Sequence, residues 1–305
     1  MTAQGPVPPR RISALDAPAF SVGEPDYPLT EAQTARLVKA ALDEDHADND
    51  VTTLATVIHT RRARAALVAR EPGVLCGIPL ALAAFCQCDD KVEIRVDVED
   101  GRRVTPGTTV LFINGRARGV LAAERTALNF LQRLSGVASA TARYVDAVRG
   151  TRARIVDTRK TTPGWRRLEK YAVRCGGGAN HRATLADAVL VKDNHLAALD
   201  GDVAMAVRRA REHAPPGTFV QIECDHLPQV RAAVEAGADG VLLDNMSLEM
   251  LREAVAIADG RVLTEASGGV TLDTVRAIAE TGVDRISVGA LTHSAPALNL
   301  ALDFE

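Results

Sequence analysis

The run Asp157-Thr158-Arg159-Lys160-Thr161-Thr162-Pro163-Gly164 sets two cations side by side just after an apolar, strand-like segment, Ala153-Arg154-Ile155-Val156. A guanidinium reads a planar oxyanion through paired N–H bonds and an ammonium acts as a point charge, so the pair suits carboxylate or phosphate. The same design recurs downstream: a short apolar run, then ionisable or Gly/Ser residues, then a helical pattern. Parallel α/β folds bring the C-terminal ends of such strands to one mouth. Those ends would deliver Arg159 and Lys160, then Lys192, Asp193 and Asn194, then Glu223 and Asp225, then Asp244 and Asn245, then Glu265, Ser267, Gly268 and Gly269, and last Gly289 and Ala290.

Each group also has a plain reading. Cations after strands are often solvated, Glu223 and Asp244 would serve as ion-pair partners of the lysines, and glycines commonly mark turns. Together they point further. Late-strand glycine loops are where barrels bind phosphate, and two carboxylates on adjacent strands suit magnesium held with substrate phosphates. An anionic, phosphorylated, metal-bound substrate is the economical expectation. Lysine occurs only at positions 39, 91, 160, 170 and 192 in a chain that otherwise uses arginine, which favours point-charge roles for Lys160 and Lys192. His181 and Arg182 follow Gly176-Gly177-Gly178, a stretch expected to let both side chains swing over the mouth. His195 is ambiguous between solvated and functional, and His46, His59, His213 and His226 form no metal cluster.

The elements that must position these residues fall into two sets. Strands are expected at 153–157, 188–192, 219–223, 240–244, 262–265 and 285–288, with helical patterns between them. Eight βα units would close a standard barrel, so these six predict a TIM-like α/β barrel over 129–290 that is either open or completed by a segment the pattern does not reveal. Before it, Thr30 is a candidate N-cap for a helix over 31–42, Ile78 to Phe85 reads as a buried helix, and strands are expected at 64–70, 92–98 and 109–114. Pro72-Gly73, Asp100-Gly101 and Pro106-Gly107 supply turns between them. Strands and helices do not alternate regularly here, which gives a small α+β domain, taken over 26–128, with 291–305 packing back on it. Residues 122–148 read as one or two helices interrupted near Ser135-Gly136. The acidic stretch 43–50 lacks the central Gly and terminal Glu of a calcium loop and reads as a solvated turn. Residues 1–25 read as a disordered tail without the apolar core of a signal peptide.

Composition agrees with a globular chain. Of 305 residues, 47% are hydrophobic and 25% charged, and the net charge of −3 argues against a general nucleic-acid surface. No apolar stretch approaches the roughly 20 residues that cross a bilayer. Five cysteines at 76, 86, 88, 175 and 224 lack zinc spacing and read as reduced thiols of a cytoplasmic protein.

These residues also spell a signature: Glu124-Arg125-Thr126-Ala127-Leu128-Asn129, D-T-R-K-T-T-P-G at 157–164, G-G-G-A-N-H-R at 176–182 and V-K-D-N-H at 191–195. It continues through I-E-C-D at 222–225, L-L-D-N at 242–245, E-A-S-G-G at 265–269 and S-V-G-A-L-T-H-S at 287–294. Over about residues 27–305 the chain resembles the quinolinate phosphoribosyltransferase family, also called nicotinate-nucleotide pyrophosphorylase (carboxylating). The resemblance implies an N-terminal α/β sandwich followed by an incomplete barrel, in a homodimer or a dimer-based higher oligomer. It also implies the reaction: quinolinate and phosphoribosyl pyrophosphate, with Mg2+, give nicotinate mononucleotide, pyrophosphate and carbon dioxide. Carried over residue by residue, Thr158, Arg159, His181 and Arg182 match quinolinate-binding positions, and Arg125 matches the arginine donated from the partner subunit. Lys160 and Lys192 match positions shared by both substrates. Glu223 and Asp244 match the acidic pair near ribose and magnesium, bound directly or through water. Ser267, Gly268, Gly269, Val288, Gly289, Ala290 and His293 match the phosphate side. Trp165 and Asn299 depart from the pattern without touching these roles.

Two other readings stand beside this one. A paralogue with another heterocycle, of the molybdenum-transport-associated kind, has no need of Arg125, His181 and Arg182 together. A silent phosphate-sugar sensor has no need of Glu223, Asp244 and both lysines.

Overall fold

The computed structural model describes residues 10–13 and 26–304, which fall into two compact units. One comprises Met1–Ala140, Arg167–Gly176 and Ala295–Glu305, the other Thr141–Arg166 and Gly177–Ser294. The first break between these units falls at 140/141, where the sequence reading sets its boundary at 128/129, and the ten residues Arg167–Gly176 group with the first unit.

In the first unit, β1 (Arg10–Ser13) precedes α1 (Glu31–Glu44), whose Thr30 Oγ1 accepts the Gln33 N–H while Gln33 Oε1 accepts the Thr30 N–H. This reciprocal cap starts a helix that buries Thr34, Val38 and Leu42, a four-residue spacing along one face. The acidic stretch contains a 3-10 turn at 47–49, and Asp50 caps α2 (Val51–Thr56) by accepting the Thr53 N–H at 3.0 Å. There follow β2 (Arg62–Ala69), β3 (Gly73–Val74), α3 (Ile78–Cys88), β4 (Glu93–Val96), β5 (Arg103–Val104) and β6 (Thr109–Arg116). β3 and β5 form a small antiparallel pair, and α1 packs on α3.

The stretch 1–25 reads as a disordered tail, yet residues 10–13 pair antiparallel with β4, in the register Arg10 to Val96 and Ser13 to Glu93. An extended segment is a natural partner for an open strand edge. The rest of that stretch lies outside the described residues.

α4 (Ala117–Ala147) runs for 31 residues without the break expected at Ser135-Gly136. Those residues are small for another reason. Ser135 Oγ accepts the Cys76 N–H at 2.9 Å, and a Cβ on Gly136 would overlap the Pro296 carbonyl. α5 (Arg166–Cys175) sends the Tyr171 hydroxyl to Asp100 at 2.9 Å, and Asp100 also accepts the Gly77 and Ile78 N–H groups at the start of α3.

The second unit is a parallel sheet of β7 (Arg154–Val156), β8 (Val189–Val191), β9 (Val220–Cys224), β10 (Gly240–Asp244), β11 (Leu263–Ser267) and β12 (Arg285–Ser287). Helices α6 (Asp193–Ala197), α7 (Val203–His213), α8 (Leu227–Glu235), α9 (Leu248–Ala258) and α10 (Val275–Ala279) occupy the crossovers after β8, and α11 (Ala290–His293) follows the last strand. The strand order is β7-β12-β11-β10-β9-β8. First strand therefore pairs with last, which is the cyclic order of a barrel, and among the described residues the seam between β7 and β8 is unpaired. Ala179 meets the free edge of β7 there, in a parallel bridge to Val156. The Ala179 N–H donates to Ile155 O at 2.9 Å and the Asp157 N–H to Ala179 O at 3.2 Å.

The chain then returns as β13 (Leu300–Phe304), antiparallel to β2, giving the first unit the sheet order β1-β4-β6-β2-β13. Among the described residues no helix is long and apolar enough to cross a membrane.

Candidate active site

Strand alternation selects what faces the mouth of the second unit. Leu242 pairs in register with both Glu223 and Glu265, Asp244 with Ser267, and Leu190 with Gln221. Side chains two apart share a face, so Leu190 and Lys192, Gln221 and Glu223, Leu242 and Asp244, and Glu265 and Ser267 project together. The result is a cavity of about 390 Å³ lined by Thr158, Arg159, Lys160, His181, Arg182, Lys192, Glu223, Asp244 and Ser267, with Leu190, Leu242, Glu265 and Ser287 beneath.

The cations arrive by different routes. Arg159 and Lys160 sit on the loop after β7, where Thr158 Oγ1 accepts the Lys160 N–H and the Thr292 hydroxyl of α11 donates to Lys160 O at 2.6 Å. Lys192 directly precedes α6; its N–H donates to His195 Nδ1 at 3.0 Å and its ammonium forms an ion pair with Glu223. The imidazole of His195 thus holds the lysine backbone. Arg182 donates from Nη1 to Ala188 O at 2.9 Å. Burial, and then the positive charge of Arg159, push the Arg182 guanidinium below its ordinary value. Arg159 Nε is buried with no hydrogen-bond partner among the described residues. Two guanidinium groups that repel each other, one with an orphaned donor, form a half-complete site that an anion would finish.

His181 is seated rather than swinging, which corrects the expectation drawn from the glycines before it. Its N–H donates to Asp157 Oδ1 at 2.9 Å, and Asn180 Nδ2 donates to Asp157 Oδ2 at 2.7 Å. Asp157 is fully buried, so the motif's first residue is an anchor for the seam segment.

Glu223 and Asp244 lie on neighbouring strands, and each has one oxygen engaged: Glu223 Oε2 by Lys192, Asp244 Oδ2 by Asn245 Nδ2 at 2.6 Å. Glu223 Oε1 and Asp244 Oδ1 are hard donors, too few to cage a bare cation. They fit a magnesium ion that brings most of its ligands as water and substrate phosphate. No group of three or more His, Cys, Asp or Glu among the described residues is placed to hold a metal. Asn245 takes the left-handed conformation at φ 54°, which asparagine tolerates, and its N–H donates to Ser267 O at 2.9 Å. The next loop is shaped around it: a Cβ on Gly268, itself at φ 93°, would overlap the Asn245 side chain.

The remaining sequence candidates are distributed unevenly. A Cβ on Gly289 would stand 3.1 Å from Lys160 Cδ and 3.2 Å from His293 Nε2, which brings Gly289, Lys160 and His293 into one cluster. Val288 is buried and its N–H donates to Val156 O, so it joins β12 to β7. Ala290 begins α11, and Gly269 follows Gly268 in the turn after β11. Arg125 is exposed on α4 in the first unit and does not line the cavity. Sequence reading missed Gln221, Ser287, Leu190 and Leu242, all of which strand alternation identifies.

Comparison with known proteins agrees over most of the chain. The family model for the quinolinate phosphoribosyl transferase C-terminal domain matches residues 137–303, and that for the N-terminal domain matches 50–135. The nicotinate-nucleotide pyrophosphorylase (carboxylating) of Mycobacterium leprae is 44% identical over 272 residues, covering 87% of this chain and 95% of that protein. The probable enzyme of that name from Bacillus subtilis is 36% identical over 275 residues, covering 90% and 94%. Among solved structures, the nicotinate-nucleotide pyrophosphorylase of Francisella tularensis is 39% identical with a TM-score of 0.87, covering 92% of this chain and 98% of that one.

Proposed function

The chain belongs to the quinolinate phosphoribosyltransferase family, and we infer its chemistry from that premise together with the site. It transfers the phosphoribosyl group of phosphoribosyl pyrophosphate to quinolinate with decarboxylation, yielding nicotinate mononucleotide, pyrophosphate and carbon dioxide in NAD biosynthesis. The observation that carries the substrate reading is the facing pair Arg159 and Arg182, with an orphaned Nε on one and a depressed guanidinium on the other. A dicarboxylate relieves both.

In this reading Arg159 and Arg182 hold the quinolinate carboxylates, with Thr158 and His181 beside them, and Lys160 and Lys192 bridge the two substrates. Ser267, Gly268 and Gly269 border the phosphates, with Val288, Gly289, Ala290 and His293 on the pyrophosphate side. Glu223 and Asp244 stand where the ribose anomeric carbon becomes positive as its bond to pyrophosphate breaks, a charge they stabilise more in the transition state than in the ground state. The ring nitrogen supplies the pair that forms the new C–N bond, and pyrophosphate leaves with the old one. The quaternised nitrogen then makes the neighbouring carboxylate a leaving group. Its C–C bond pair stays on the ring carbon as carbon dioxide departs, and that carbon takes a proton. Leu190 and Leu242 on the cavity wall limit water at this stage. Magnesium, held by Glu223 and Asp244 directly or through water, would neutralise charge on the departing pyrophosphate.

We further propose a homodimer, alone or as the unit of a larger assembly, in which Arg125 is donated to the site of the second copy, and a cytoplasmic location. The test is an assay with quinolinate, phosphoribosyl pyrophosphate and magnesium, following nicotinate mononucleotide by mass, with nicotinate as the control acceptor. Product from quinolinate alone is expected; product from nicotinate alone would overturn the dicarboxylate reading.

A further inference from the structure

Both ring nitrogens of His181 face protein groups. Nδ1 accepts the Arg182 N–H at 2.8 Å, while Nε2 lies 3.2 Å from Gln221 Oε1 and 3.5 Å from Glu265 Oε2. A nitrogen that faces a backbone donor must present its lone pair, so the imidazole proton belongs on Nε2. The Gln221 amide is oriented by its other end, where Nε2 donates to Glu265 Oε2 at 3.1 Å. Its oxygen is thereby turned towards His181.

The chain begins at Glu265 on β11, whose side chain is 0% exposed and whose Oε1 has no partner among the described residues. A buried carboxyl with one oxygen unsatisfied is costly, and an apolar residue would fill the same volume without that cost. We propose that Glu265 is a positioning residue for the transfer reaction: through the Gln221 amide it fixes His181 as the Nε2–H tautomer. His181 Nδ1 in turn holds the Arg182 backbone, so the guanidinium that meets substrate is aimed from the floor of the barrel. The role in turnover rests on the quinolinate reading, whereas the tautomer is a property of the free protein.

The test uses the full chain labelled with nitrogen-15 histidine, with the His181 signals identified by their loss in His181→Asn. Long-range proton–nitrogen spectra without substrate should show the Nε2–H pattern in the wild type. Glu265→Met, similar in volume but without an acceptor, should give a mixture of tautomers and raise the quinolinate KM about tenfold, with the phosphoribosyl pyrophosphate KM unmoved. Glu265→Gln keeps an acceptor and should recover the spectrum and most of the KM. Gln221→Met cuts the chain at its middle and should mimic Glu265→Met, so it decides the matter if the latter fails to fold. A wild-type His181 pattern in Gln221→Met or Glu265→Met would overturn the proposal. So would an equal loss of kcat in both Glu265 variants with the pattern intact, which would mean direct contact with substrate. Failure of the quinolinate assay leaves the spectra unchanged, so the two readings fail separately.

Discussion

At the scale of single residues, the site is organised by unmet demand. Arg159 and Arg182 repel each other, offset in part by Asp187, and Arg159 Nε lacks an acceptor among the described residues, so an arriving anion lowers their energy. Removing one member should therefore act on binding. Arg182→Ala is expected to raise the quinolinate KM at least about tenfold, the worth of a charged hydrogen bond, with the phosphoribosyl pyrophosphate KM nearly constant in steady-state kinetics. Arg159→Lys keeps the charge but loses the planar fork, and isothermal titration should show quinolinate affinity falling by a similar factor. The thiol beside Glu223 makes the contrasting case. Burial first, then Asp225 and Glu223, push Cys224 up to about 12, so it stays protonated at neutral pH. Iodoacetamide at pH 8 should leave Cys224 unlabelled in the native protein, as peptide mass mapping would show.

At the scale of elements, α4 is continuous because its small residues serve as contacts rather than as a break. A methyl at position 136 would overlap the Pro296 carbonyl, which lies on the backbone and cannot swing aside. Gly136→Ala should destabilise the fold by about 2 kcal/mol or more despite the better helix propensity of alanine, seen as a lower urea midpoint. Gly-Ser in a helical run reads as an interruption when only local propensity is available; the reason for the glycine lies 160 residues away in the chain. The same limit explains Gln221 and the cross-strand partners of Glu265. Six strands were legible because apolar runs and turn residues bracket them, and Lys192, Glu223 and Asp244 were legible because they end strands. Glu265 is deeper by two residues than Ser267, inside the strand, where a polar residue gains meaning only from the partner across the sheet. His181 was legible by its motif, but its seating was not, since the parallel bridge at Ala179 is a long-range pairing.

For the whole molecule, stability should vary with pH and activity with the mixing of subunits. Burial lifts the Asp100 carboxyl from 3.8 to about 6, against the hydrogen bonds from Gly77, Ile78 and Tyr171. An acid whose folded pKa is raised holds its proton more tightly when native, so its contribution is fully present below the ordinary value and is lost as pH rises to about 6. Asp100→Asn should flatten that part of the stability profile between pH 4 and 6 in paired urea titrations, while lowering stability throughout because an accepting oxygen is lost. If Arg125 crosses to the second copy, Arg125→Ala and Arg182→Ala proteins, assayed at quinolinate far below their raised KM, should complement each other. Random reassortment of a two-fold dimer leaves one intact site in half the pairs, so about a quarter of wild-type activity should return; no recovery after verified subunit exchange would remove Arg125 from the site. β13 carries a different consequence, one of timing. The strand that completes the first sheet, paired to β2, joined to it by Arg70 and Asp303 and held to α4 by Leu300 O accepting from Gln132 Nε2, is synthesised after the entire second unit. On the ribosome, then, the β2 edge stays unpaired while some 230 further residues emerge, and nascent chains are exposed there to strand-seeking neighbours. The first unit to begin folding is the last to finish, and chaperone demand during translation should concentrate on its edge.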